Sequence, residues 1–236
     1  LSMPEAVLPE AILFDLDGTL IDTAPDMGGA LNNLLREENR EPLPLASIRP
    51  YVSQGGLVLT RLGFGESVSE DEIEPLRQRF LQHYLAIIAD DSRLFDGFDT
   101  VLANLESRSI PWGIVTNKPE WLTHPLLEQL GLAARSAVVI GGDTLAQRKP
   151  HPLPLLVAAE RIGVDARQCV YVGDDERDIV AGRAAQMKTL VAAYGYIEDA
   201  VAISAWNADG IIDKPTDLLH HPLLNRPLLN RPLLNN

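Results

Sequence analysis

Asp15 and Asp17 stand one residue apart, followed at once by Gly18 and Thr19. Two carboxylates so close repel each other unless a cation lies between them. If their oxygens converge, Mg²⁺ is the natural candidate, because it takes a few hard oxygen ligands and retains water. The plainer alternative is a solvated Asp-x-Asp-Gly turn. Three more places carry suitable chemistry: Thr116 with Asn117 and Lys118, then Lys149 before Pro150, then the acidic run Gly173-Asp174-Asp175-Glu176-Arg177-Asp178.

The elements that must position these residues can be read from the pattern. Ala11 to Phe14 is a short apolar run of the kind buried on both faces of a sheet. It delivers Asp15 and Asp17 to a strand's carboxyl end, where open α/β sheets bind ligands. Further strands are predicted at 111–116, 137–140, 169–172, 189–192 and 210–212. Helices are predicted between them at 98–108, 123–130, 152–162 and 176–185, the second and third closed by Gly131 and Gly163. Thr116 and Asp174 thereby also fall at strand ends, which meet along one rim of a parallel sheet.

Residues 24–92 read differently. Asp22 or Thr23 is placed to cap a helix from Pro25 to about Asn39, with Leu31, Leu34 and Leu35 on one stripe. Ile48–Gly65 reads as helical around an interruption, Ser53-Gln54-Gly55-Gly56. Glu70–Asp90 repeats Ile73, Leu76, Phe80, Tyr84 and Ile87 at spacings of three and four, and Asp71 with Glu74 resembles a capping box. The segment shows no strand pattern.

Four motifs in order, Asp15-x-Asp17-x-Thr19, Thr116, Lys149 and Gly173-Asp174 with Asp178, resemble those of the haloacid dehalogenase superfamily. The helical insertion resembles the type 1 cap of its phosphoglycolate phosphatase and β-phosphoglucomutase branches. Thr116-Asn117-Lys118-Pro119 and Lys149-Pro150 resemble the former more closely. The likeness spans about Ala11 to Asp213. It implies an α/β Rossmann-like core (1–23 and 93–221), an inserted all-helical cap (24–92) and a separate tail (222–236).

It also implies roles. Asp15 is the expected nucleophile and Asp17 the general acid, then base. Thr116 is expected to bond the phosphoryl oxygens and Lys149 to neutralise them. Mg²⁺ is expected on Asp15, the Asp17 carbonyl and Asp174, with Asp178 or Asp175 as the further acid. Gly18, Thr19, Asn117 and Lys118 are expected around the substrate. In the cap, Ser53, Gly55 and Gly56 are expected to offer backbone N–H groups, with Arg49 or Arg61 as anion partner. The implied activity is phosphomonoester hydrolysis, with phosphoglycolate as the first substrate candidate. N-acetylmuramic acid 6-phosphate, another sugar phosphate, a mutase reaction and a non-catalytic binding role stand as alternatives.

Composition sets the bounds. Lys and Arg number 20 against 33 Asp and Glu among 236 residues, a net charge of −13. That balance argues against nucleic-acid and anionic-membrane partners. A small phosphorylated metabolite stays compatible, since a metal and local cations can reverse the field in a pocket. Cys169 is the single cysteine, in an apolar run that suggests packing. The cytoplasm is the expected compartment, and the chain is expected as a monomer or homodimer. The first ten residues read as a leader. The tail repeats Pro-Leu-Leu-Asn-Arg at a period of five, with leucines suited to contacts with another surface.

Overall fold

The computed structural model describes residues 9–197, 199 and 201–224. Most of the expected leader and all of the tail after Leu224 lie outside the described residues.

In chain order, β1 (Ala11–Phe14) leads through the two-residue β2 (Ile21–Asp22) into four helices. These are α1 (Ala24–Glu37), α2 (Leu45–Ile48), α3 (Gly56–Phe64) and α4 (Glu70–Ala86), with a 3-10 turn, Arg49–Gln54, before α3. The chain returns through β3 (Arg93–Leu94). It then alternates: α5 (Phe98–Ser107), β4 (Trp112–Val115), α6 (Glu120–Gln129), β5 (Val139–Ile140), α7 (Leu153–Ile162). It continues through β6 (Cys169–Gly173), α8 (Glu176–Ala184), β7 (Lys188–Ala192) and β8 (Gly210–Ile212), with 3-10 turns at Ala202–Trp206 and Pro215–Leu219.

Six strands form one parallel sheet in the order β5-β4-β1-β6-β7-β8. β1 sits between β4 and β6, so its register decides what meets at the rim. Ile12 and Phe14 pack toward Phe98, Ile114 and Leu126, while Ala11 and Leu13 pack toward Val115, Leu155 and Cys169. Burial on both faces is why the strand reads as an unbroken apolar run. Cys169 is itself buried, and burial raises its thiol pKa to about 11.

β2 and β3 pair antiparallel, Ile21 with Leu94 and Asp22 with Arg93, so the helical segment leaves and rejoins the core side by side. Asp26 on α1 ties the two crossings, accepting the N–H groups of Asp91 (2.9 Å) and Ser92 (2.7 Å) and the Ser92 hydroxyl (2.6 Å). α1, α3 and α4 share one apolar interior around Leu31, Leu34, Leu59, Phe80 and Tyr84.

One local expectation is corrected and another is narrowed to one residue. The box at the start of α4 is Ser69 with Glu72, whose carboxylate accepts the Ser69 hydroxyl at 2.7 Å and its backbone N–H at 3.3 Å. Asp71 and Glu74 already lie inside the helix, where Glu74 accepts from Arg77 instead. Of the two residues offered as a cap for α1, Thr23 donates its hydroxyl to Asp17 at 2.6 Å, while Asp22 Oδ1 accepts the Ala24 N–H at 3.3 Å. Among the described residues no helix is long and apolar enough to cross a membrane. The described start of the tail meets the core: Leu224 is buried and its carbonyl accepts from Arg108 at 3.0 Å.

Candidate active site

The carboxyl ends of β1, β4 and β6 bring Asp15, Thr116 and Asp174 to one rim, and the loop before α7 adds Lys149. Lys149 Nζ lies 2.8 Å from Asp15 Oδ1, 2.7 Å from Asp178 Oδ1 and 2.8 Å from the Tyr171 hydroxyl. A lysine only 3% exposed needs such company, because an unpaired ammonium in the interior is costly. Burial opposes its charge, but Asp15 and Asp178 outweigh that and hold its pKa above the usual range.

Asn117 fixes this lysine from the backbone side. Its side-chain amide donates to the Lys149 carbonyl at 2.9 Å, and its oxygen accepts the Lys149 N–H at 3.0 Å. Tyr171 braces the ammonium from β6 and donates to the Val115 carbonyl at 2.8 Å. Sequence reasoning missed Tyr171. A tyrosine inside a buried strand was the available signal, since its hydroxyl must find a partner.

The second cation, Lys118, contacts both oxygens of Asp17 at 2.9 and 3.1 Å and stands 4.5 Å from the centre of the Tyr84 ring. Thr116 lines the cleft, and its hydroxyl accepts the Lys118 N–H at 3.1 Å. The strand end and the two residues after it thus have three tasks: a hydroxyl in the cleft, a backbone clamp and an ion pair.

Asp174 is 1% exposed and gathers three donors: the Thr19 hydroxyl (2.9 Å), the Ser53 hydroxyl (2.8 Å) and the Tyr196 N–H (2.9 Å). Thr19 therefore holds an acid of the site. Gly18, at φ +83°, lets Asp174 approach closely: a β-carbon there would lie 2.2 Å from Asp174 Oδ2. Asp175 turns away to begin α8, pairing with Arg177 at 2.7 Å, while Asp178 points back toward Lys149. Of the two acids the sequence left open, Asp178 is the one in the cluster.

Carboxylate oxygens of Asp15, Asp174 and Asp178 lie within 4.8 Å of one another. Burial, set against Lys149 and reinforced by Asp178, raises the Asp15 pKa to about 7. Asp174 is raised too, by burial first and then by the Asp15 and Asp178 charges. The Lys149 contact to Asp15 Oδ1 is close but misdirected for a hydrogen bond, so this buried oxygen lacks a directed donor. When all four are ionised, Asp15, Asp17, Asp174 and Asp178 carry two more charges than Lys118 and Lys149 neutralise, a crowding that adds to burial in raising the Asp15 and Asp174 pKa. Converging hard oxygens, an orphaned acceptor and surplus negative charge suit a divalent cation.

The cleft beside these residues measures roughly 630 Å³. The helical segment contributes Ser53, Gly55 and Gly56 to its wall, together with Val52, Leu57 and Leu81. The Gly55 N–H is not offered to the cleft, because it closes the turn on the Val52 carbonyl at 3.0 Å. Arg49 is a second departure. It does not line the cleft but grips Asp22 at 2.5 and 2.9 Å and stacks 5.3 Å from the Tyr196 ring centre. Arg61 is likewise turned away, toward Glu70 and the Val68 carbonyl. Among the described residues, the arginines lining the cleft are Arg77, Arg148 and Arg177, which no spacing in the sequence distinguished.

A family model described as haloacid dehalogenase-like hydrolase matches residues 12–192. A phosphoglycolate phosphatase of Xanthomonas campestris pv. campestris is 51% identical over 211 residues, 89% of this chain and 95% of the relative. An N-acetylmuramic acid 6-phosphate phosphatase of Pseudomonas aeruginosa is 40% identical, covering 89% of this chain and 93% of that one. A crystal structure described as a predicted phosphoglycolate phosphatase from Haemophilus somnus superposes with a TM-score of 0.79 at 28% identity, covering 89% and 96%. By sequence and by fold, this chain belongs to the haloacid dehalogenase-like hydrolases.

Proposed function

We propose that this hydrolase releases inorganic phosphate from a small phosphorylated metabolite, with phosphoglycolate as the first candidate and Mg²⁺ as the cofactor. The observation that carries the reading is the meeting of Asp15, Lys149, Asp174 and Asp178 at the strand ends. The named activity of the 51% identical relative supports the substrate.

Asp15 attacks phosphorus, the bond to the leaving oxygen breaks, and an aspartyl-phosphate forms. Asp17, entering protonated, protonates the leaving oxygen, then as a carboxylate takes a proton from the water that attacks the acyl-phosphate. The acyl-phosphate's bond to Asp15 then breaks, which frees phosphate and restores the Asp15 carboxylate. Before the first transfer the Asp17 side chain must leave Lys118 and Thr23, which hold it in this conformation. Lys149 and the Thr116 hydroxyl face the transferring oxygens, and Asn117 and Tyr171 keep Lys149 aimed. Asp15, Asp174, Asp178 and the Asp17 carbonyl would hold Mg²⁺, which when bound neutralises the carboxylates and the phosphoryl oxygens. Residues 24–92 serve as the cap, closing over the cleft to exclude water during transfer.

A second substrate reading has its own support. The cleft is large for a two-carbon acid, and Val52, Leu57, Val58 and Leu81 give it an apolar wall that an N-acetylated sugar could cover. The 40% identical relative acts, by its name, on such a sugar phosphate. Phosphate release from a panel of glycolate, sugar, amino-sugar and nucleotide monophosphates tests both. The first reading expects the highest kcat/KM with phosphoglycolate, and a preference for N-acetylmuramic acid 6-phosphate replaces it with the second. Isomerised sugar phosphate in place of free phosphate would reject both.

A further inference from the structure

Ser53 belongs to the helical segment, yet its side chain leaves its own turn for the core. Its hydroxyl lies 2.8 Å from Asp174 Oδ2 and 3.1 Å from the Asp17 carbonyl oxygen. Both are among the oxygens assigned above to the cation. A serine in a 3-10 turn usually satisfies itself on nearby backbone. Here neighbouring contacts hold it outward. Its carbonyl accepts from Arg177 of α8 at 2.8 Å. At the other end of the turn Arg49 clasps Asp22, which also accepts the Tyr196 hydroxyl at 2.6 Å. Tyr196 then returns through its N–H to the same Asp174 oxygen that Ser53 meets. The segment 49–53 is thus fastened to the core at both ends, and both fastenings lead to Asp174.

We propose that Ser53 is a positioning residue for the cation site, so that docking of the helical segment and binding of the divalent cation favour each other. The inference rests on the metal reading above. Hydrogen bonds that orient a ligating carboxylate typically contribute 10- to 100-fold in metal affinity. Ser53 is the one of the three donors to Asp174 that the helical segment supplies. Coupling of this kind is reciprocal: if docking tightens the cation, the cation must stabilise docking.

The test is Mg²⁺ binding to the purified full chain without substrate, by titration calorimetry, in the wild type, S53A, S53T and D174N. The expected result is affinity lowered about tenfold in S53A, near wild type in S53T, and abolished in D174N. Hydrogen exchange over residues 49–54 should slow on adding Mg²⁺ to the wild type and change little in S53A. A merely structural serine would leave the metal affinity untouched. S53A binding Mg²⁺ as tightly as the wild type, while D174N does not bind, overturns the role of Ser53 and leaves the metal reading standing. A wild type that binds no Mg²⁺ overturns the metal reading and this one with it.

Discussion

Asn117 holds Lys149 by both of its backbone polar groups, at 2.9 and 3.0 Å, across thirty-two residues of sequence. Asn117, two residues past the end of β4, thereby sets where the ammonium beside Asp15 stands. Asn117 lines the cleft and also serves the site by fixing Lys149.

Replacing Asn117 by Ala should therefore act mainly on turnover. A displacement of about 1 Å at a catalytic group costs on the order of 10²-fold, so kcat should fall by about that much with KM changing less. Steady-state phosphate release checks it. A raised KM at unchanged kcat would instead make Asn117 a substrate contact.

Tyr171→Phe removes the hydroxyl that meets Lys149 and the Val115 carbonyl inside the sheet. Lys149 keeps Asp15 and Asp178, so the cost falls on the Val115 carbonyl and on the contact to Asp178, about 1–3 kcal/mol for a buried polar group left unmet. Urea denaturation should show a lower midpoint at an unchanged slope. An unchanged midpoint would mean that water replaces the hydroxyl.

The rim and its order along the chain were legible because strand ends bearing acids, a threonine and a lysine are distinctive in type. The apolar run 11–14 and the glycines that close helices carried the core for the same reason. Arg49 could not be placed from the sequence, because proximity to a Gly-Gly turn says nothing about which face an arginine takes. Its partner Asp22 is fixed only once β2 and β3 pair. Tyr171 and the Asn117 clamp escaped notice because a buried hydroxyl or amide finds its partner through tertiary contacts. The choice between Asp175 and Asp178 needed α8 itself, since one residue begins the helix and the other lies a turn later, facing back.

pH dependence follows from Asp15, whose carboxyl rises from 3.8 to about 7, chiefly through burial. Between those values the folded chain binds the proton and the unfolded chain does not, so stability falls as pH rises through this window. Metal-free protein should melt higher near pH 5 than near pH 7.5 on account of this group. A divalent cation needs the ionised carboxylate, so its stabilisation should be larger at the higher pH. At a hundredfold excess over the dissociation constant it amounts to about 2.7 kcal/mol. Thermal melts with EDTA and with Mg²⁺ at both pH values decide it, and an equal gain at both would contradict the assignment.

The account turns on Asp15 taking the phosphoryl group, and rapid quenching during turnover of a phosphorus-labelled substrate, followed by peptide mass spectrometry, tests that most directly. The label should appear on Asp15 in the wild type and nowhere in Asp15→Asn, which should also be inactive. Label on another residue, or Asp15→Asn turning over substrate at the wild-type rate, would contradict it.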